Sequence, residues 1–187
     1  MSVTSAKTGS TSLSLALENN FMEPIASTLV GAGGANAVIF NDIPQTYKHL
    51  QIRYTARDER TGGAYNSPVW GYFNGDYSAN YYRHDLLGTG SSASAESSTN
   101  NFISIMSTAD YTSGIFGAGI IDILDYANPN KNKVSRSFSG MDGNGAGYVF
   151  LFSMLWMNTT PITSINLSSF VGNFQQHSRF SLYGMKG

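Results

Sequence analysis

The sequence predicts an all-β fold: an antiparallel β-sandwich of jelly-roll type, preceded by an extended N-terminal arm. Three observations carry this. Segments in which apolar and polar residues alternate recur at short spacing, the period-two pattern of strands with one buried face. Clusters of Gly, Asn, Asp, Ser and Pro separate them, supplying the backbone angles that tight turns require. No internal segment carries a convincing helical period. The organisation that follows is an arm over residues 1–20 and one sandwich domain over residues 21–187, a size that all-β domains reach without splitting.

The arm is polar and small, except that Leu13, Leu15 and Leu17 alternate with Ser14 and Ala16. These leucines are the candidate attachment residues, read as an added strand, with a short helix or a frayed end as rival readings. Strands follow at 27–30 and 37–40, around the Gly31-Ala32-Gly33-Gly34 turn. Residues 47–57 give the cleanest alternation: Leu50, Ile52, Tyr54 and Ala56 share one face, and His49, Gln51, Arg53, Thr55 and Arg57 the other. Pro44 sits before this strand, at a turn. A charged loop over 58–66 leads to Trp70-Gly71-Tyr72-Phe73-Asn74-Gly75-Asp76. Asn-Gly there predicts a hairpin of two aromatic strands, because primed turns need residues that tolerate positive φ; a Gly/Ser/Ala loop then runs to Ser98. Further strands read at 102–106, 115–126, 133–138, 147–157, 162–167 and 179–185, roughly nine or ten in all. The strand at 147–157 departs from alternation, with Tyr148, Phe150, Phe152, Met154 and Trp156 on one face and Val149, Leu151 and Leu155 on the other. A strand apolar on both faces is central to the core or pressed against another subunit. Val149, Leu151 and Leu155 are therefore the candidate oligomer interface, with the arm folding back over them as the alternative.

Composition narrows the function. Only 12% of residues are Asp, Glu, Lys or Arg and the net charge is -1, against about 25% charged residues in ordinary domains. Such a chain has no basic field for nucleic acid and no polybasic membrane patch. With little colloidal repulsion, its surface is expected to be covered by partners; a soluble monomer of low charge is the alternative. The longest apolar run, residues 148–157, is broken by Ser153 and falls far short of the ~20 residues that span a bilayer. The N-terminus lacks the basic-then-apolar order of a signal peptide. Cysteine is absent, so disulfides and thiolate zinc sites are excluded.

Candidate chemical sites dissolve on inspection. Asp142 and Asn144 have the spacing of the first calcium ligands, but Ala146 and Ser153 stand where further ligands belong, and a hairpin turn is the better reading. Gly31–Gly34 lacks phosphate-cradle spacing. His49, His84 and His177 have no local metal spacing. Asp122 and Asp125, three apart on a strand, point to opposite faces, which suits a turn and not a glycosidase pair. No nucleophile elbow occurs. The sequence thus predicts no catalytic residues, metal or cofactor. The candidate contact surface is Trp70, Tyr72, Tyr77, Tyr81, Tyr82 and His84, whose rings suit protein interfaces and sugar stacking alike; ordinary core membership is the alternative for any one of them.

Several motifs together resemble a group of small virion proteins of tailed bacteriophages, many from marine and cyanobacterial viruses. They are Met22-Glu23-Pro24-Ile25-Ala26, Asp42-Ile43-Pro44-Gln45-Thr46-Tyr47-Lys48-His49-Leu50, Phe73-Asn74-Gly75-Asp76 with Asn80-Tyr81, and Gly88-Thr89-Gly90-Ser91-Ser92-Ala93-Ser94-Ala95. Ile121-Asp122-Ile123-Leu124-Asp125-Tyr126-Ala127-Asn128, Leu155-Trp156-Met157-Asn158 and the ending Phe180-Ser181-Leu182-Tyr183-Gly184-Met185-Lys186-Gly187 complete the set, which spans residues 22–187. The resemblance implies a virion structural role, tail fibre or capsid-associated, and brings no catalytic residues. The expected function is a head decoration or cement protein, made in the host cytoplasm and bound to the major capsid protein as a small homo-oligomer, a trimer by preference. The alternative is a tail-fibre or tail-tip domain that joins tail components and binds host surface glycan. A secreted carbohydrate-active enzyme is a third reading, and it would need a carboxylate pair in a cleft.

Overall fold

The chain is described by a computed structural model over residues 21–63 and 66–187; the arm leucines Leu13, Leu15 and Leu17 lie outside the described residues. Twelve strands are present among them. The first six are β1 (Met22–Leu29), β2 (Ala37–Phe40), β3 (His49–Ala56), β4 (Asn66–Phe73), β5 (Tyr81–Gly88) and β6 (Ala93–Ser98). The second six are β7 (Phe102–Ser107), β8 (Gly117–Leu124), β9 (Lys133–Asp142), β10 (Gly147–Trp156), β11 (Ile165–Ser169) and β12 (Arg179–Met185). They form two antiparallel sheets, one ordered β1-β12-β3-β8-β9-β10-β5-β6 and the other β2-β11-β4-β7.

With the β5–β6 and β9–β10 hairpins set aside, the pairing has a simple rule. First pairs with last (β1 with β12), then β2 with β11, β3 with β8, and β4 with β7. That is a long antiparallel ribbon wound over two sheets, the jelly roll. The two hairpins are insertions that lengthen one sheet: β9 adds to β8, β10 to β9, β5 to β10, and β6 becomes the new edge.

Two expectations need correction. The Asn74-Gly75 turn forms, with φ of 53° and 66° and the Asp76 amide donating to the Phe73 carbonyl at 2.9 Å. It is not a hairpin: β4 and β5 lie in different sheets. Tertiary anchors redirect the chain. The Asn74 side chain donates to the Pro161 carbonyl and accepts from the amides of Thr163 and Ser164, which carries the turn across the open end of the sandwich. The second correction is β6, expected as loop. Its Ala, Ser and Glu residues have little strand propensity, and the ladder to β5 supplies what propensity does not. The turn over 141–147 is a hairpin as expected, with Gly147 opposite Asp142 and positive φ at Asn144 and Gly145.

The core fills the space between the sheets. Leu50, Ile52, Ile121, Ile123, Phe180 and Leu182 from the large sheet meet Val69, Phe73, Ile165 and Leu167 from the small one, all buried. Tyr54 stacks on Phe180 at 5.5 Å, and its hydroxyl reaches Ser104 and the Ile105 carbonyl; burial pushes that hydroxyl up to about 12. Gly119 is required beneath it, since a Cβ there would stand 2.5 Å from the Tyr54 oxygen. Ile105, Phe150 and Phe152 form a second buried cluster under the inserted strands. The fully buried Lys133 closes one end, its Nζ donating to the carbonyls of Asn128, Lys131 and Thr159 at 2.6–2.7 Å.

Candidate functional site: two outer faces

On β9 the usual order is inverted. Ser135, Ser137 and Ser139 point inward and are buried, while Phe138 points out and is 55% exposed. The serines have a reason: their small side chains let β7 approach, and the Ser137 hydroxyl donates to the Ile103 carbonyl at 2.6 Å. Nothing in the core requires Phe138 to be aromatic.

Phe138 belongs to a row. Strand register places Leu86, Leu151, Phe138 and Ile120 directly opposite one another across β5, β10, β9 and β8. All four are between 39% and 55% exposed, as is Val149. Two shallow grooves of about 850 and 640 Å³ flank the Phe138 ridge. The first is floored by small residues, Ala118, Gly140 and Gly147 among them; the second runs over His84, Asp122, Arg136 and Ser153. A lower row carries Leu124, Val134, Leu155 and Tyr82 in register. The predicted interface residues Val149, Leu151 and Leu155 thus share one outer face, Leu155 half-buried on it. Side-chain alternation located them: in a sandwich of two sheets only one face of each meets the core, so the second apolar side of this strand is the outer one.

The predicted contact surface does not form one patch. Tyr82 and His84 stand on the large-sheet face, opposite Leu155 and Ser153. Trp70 and Tyr72 lie half-buried on the outer face of the small sheet, with Tyr77 beside them and 66% exposed. Tyr81 is a core residue and not a contact residue. It is buried, stacked on Trp156 at 6.2 Å, and its hydroxyl accepts from the Phe73 amide and donates to the Asp76 carbonyl. The cause is β5 crossing to the other sheet, which turns Tyr81 inward and Tyr82 outward.

The small-sheet face is an aromatic cluster that packs on itself. Trp70 lies near-parallel to Tyr72 and Phe170, at 6.1 and 5.9 Å, and Phe102 meets it edge-on at 4.9 Å. Tyr77 tilts against Tyr72 at 4.5 Å, and its hydroxyl accepts from the Asn166 amide. Phe170 had no signal in the sequence, because it lies past the end of β11 in a turn. Arg60 rests over its ring at 5.4 Å.

Charged groups serve as fasteners. Asp76 ties the turn after β4 to β10: its carboxylate accepts from the Ser78 hydroxyl and amide, the Asn80 amide and the Trp156 indole. Burial alone would push this carboxyl up, but those hydrogen bonds outweigh it and hold it well below the usual carboxylate range. Asp125 is held down to about 2 by hydrogen bonds from Lys131 and Lys48. Asp122 accepts from Gln51 at 2.8 Å, so the two carboxylates serve separate contacts. Arg57 donates to four loop carbonyls, of Ala109, Tyr111, Thr112 and Ile115. Arg83 pairs with Asp85 and Glu96 and sits between the rings of Phe102 and Phe152. His49 accepts the Asp125 amide. Among the described residues, no group of three His, Cys, Asp or Glu is placed to hold a metal ion.

No protein-family model matches the chain, and no curated protein does. Among solved structures, a protein of unknown function from Shewanella oneidensis MR-1 aligns over 89% of this chain and 76% of that one, at 10% identity and a TM-score of 0.23. That likeness carries no functional argument.

Proposed function

We propose that the chain is a virion structural protein of a tailed bacteriophage, a head decoration protein that binds the capsid as a small oligomer. The reading rests on one observation above the rest: the ordered row Leu86–Leu151–Phe138–Ile120 on the outside of the large sheet. An apolar row in water costs solubility unless something covers it, and a surface with 12% charged residues does little to offset that. The motif resemblance points the same way. Quantitative mass analysis of purified virions tests it. Hundreds of copies per particle fit a shell position, whereas roughly six to eighteen fit a tail ring, and absence from the particle overturns the virion reading.

A second reading is favoured by the aromatic cluster. Tyr77 and Phe170 stand exposed at its two ends, suited to stacking a glycan in a tail-tip role. Adsorption by particles carrying folded Tyr77→Ala protein decides it: unchanged host binding removes this reading.

A further inference from the structure

The large-sheet face is complementary to itself. We propose that it pairs with the same face of a second copy, about a two-fold axis that runs along the strands between β9 and β10. This rests on the reading of that face as an assembly surface and names what covers it.

The argument is register. Such an axis exchanges β9 with β10, β8 with β5, and β3 with β6, so a window of six consecutive strands maps onto itself. Phe138 of one copy then faces Leu151 of the other, and Ile120 faces Leu86; the whole apolar row meets itself. In the lower row Val134 faces Leu155, and Leu124 faces Tyr82. Between the two rows Asp122 faces His84 and Arg136 faces Ser153, so an acid meets an imidazole and no like charges oppose. On the flanks Arg53 faces Ala95 and Gln51 faces Ser97. Val149 faces Gly140, a large residue against a small one, as close packing of two sheets requires. Each correspondence follows from the cross-strand pairs.

Size agrees. Six strands at about 4.8 Å by eight residues at about 3.4 Å cover roughly 780 Å² per copy, close to the ~800 Å² per partner of a standard interface. Isologous two-fold dimers are also the commonest closed assembly.

The full chain, which has no cysteine, suits a crosslinking test beside sedimentation equilibrium. Wild type is expected to dimerise at about 10–100 μM, and Leu151→Asp to weaken association at least ~100-fold, since it buries carboxylates without partners. Leu151→Ser, milder for folding, is expected to weaken it about tenfold or more. Circular dichroism checks that both variants fold. Mixing Ile120→Cys with Leu86→Cys protein should give crosslinks with a ~10 Å bismaleimide, the distance between packed sheets. Leu86→Cys alone should give few, because its two copies stand about 17 Å apart across the axis. A monomer at 100 μM, a dimer indifferent to both substitutions, or crosslinking as strong in Leu86→Cys alone overturns the proposal. A monomeric protein that still enters particles overturns the dimer and leaves the virion reading standing. A dimer with these properties that is missing from particles supports the pairing and removes the virion reading.

Discussion

The two outer faces of this sandwich handle exposed apolar area in opposite ways. On the small sheet, Trp70, Tyr72 and Phe102 are half-buried within an aromatic cluster, while Tyr77 and Phe170 pack against its two ends and keep one side exposed. On the large sheet, Leu86, Leu151, Phe138 and Ile120 stand side by side with grooves between and beyond them. The centre of the first face is packed by its own side chains; the row on the second has no such packing among the described residues. Most of the small-sheet aromatic residues pack on one another, whereas the aliphatic residues in register on the large sheet, with glycine and alanine beside them, have no such partners among the described residues. The contrast predicts that substitutions in the packed centre of the small-sheet cluster act on folding, while those in the large-sheet row act on association.

The largest stability effect is expected at Trp70, which touches three other rings. Trp70→Ala should cost about 2–4 kcal/mol in urea unfolding, or roughly 5–12 °C in melting temperature for a chain of this size; a loss below about 1 kcal/mol would break the view that this cluster is packing. Next comes Asp76→Ala, which strands the Trp156 indole and the Asn80 amide and should cost about 1–2 kcal/mol at pH 7. The folded pKa of Asp76 is depressed. Its contribution is therefore complete above the unfolded value near pH ~4 and is lost as pH falls through the folded one. The variant should accordingly show a flatter acid limb below about pH 4 in thermal melts. On the other face, Phe138→Ser should shift monomer stability by under ~1 kcal/mol when measured at concentrations too low for pairing. A loss comparable to that of Trp70→Ala would mean Phe138 is core in all but position. The smallest effect belongs to Tyr77→Ala, within about 0.5 kcal/mol by chemical denaturation.

Much of the architecture was legible in the sequence, for identifiable reasons. Strict alternation assigned both faces of β3 up to Ala56, though Arg57, read onto the outer face, is buried past the strand's end with its guanidinium on four loop carbonyls; doubly apolar residues in 147–157 announced a strand with an outward apolar side. Turn chemistry at Asn74-Gly75 and Asn144-Gly145 located two turns with positive φ. It could not tell hairpin from crossover, because the difference lies in what Asn74 and Asp76 bind far along the chain. β6 was hidden by its composition, its pairing being tertiary. The inversion of β9 was hidden for the same cause: serine polarity alone suits an outer face, and only the approach of β7 makes Ser135, Ser137 and Ser139 the ones that fit inside. The site was half legible. Val149 and Leu151 could be found from one strand, but Phe138, Ile120 and Leu86 join them only through register between strands, which periodicity within a single strand does not encode.

The strands at the margins of the large sheet have a consequence for growth. β1 carries Pro24, and its register slips between Pro24 and Ala26; β6 is six residues of Ala, Ser and Glu. A proline lacks an N–H to offer a new neighbour, a bulge spoils the next ladder, and a short strand carrying a charge templates poorly. β2, at one margin of the small sheet, has only four residues. Lateral extension into a fibril is thereby blocked at these margins, while stacking face on face is not. If copies pair as proposed above, each consumes the surface it adds by, and the assembly would stop itself at two.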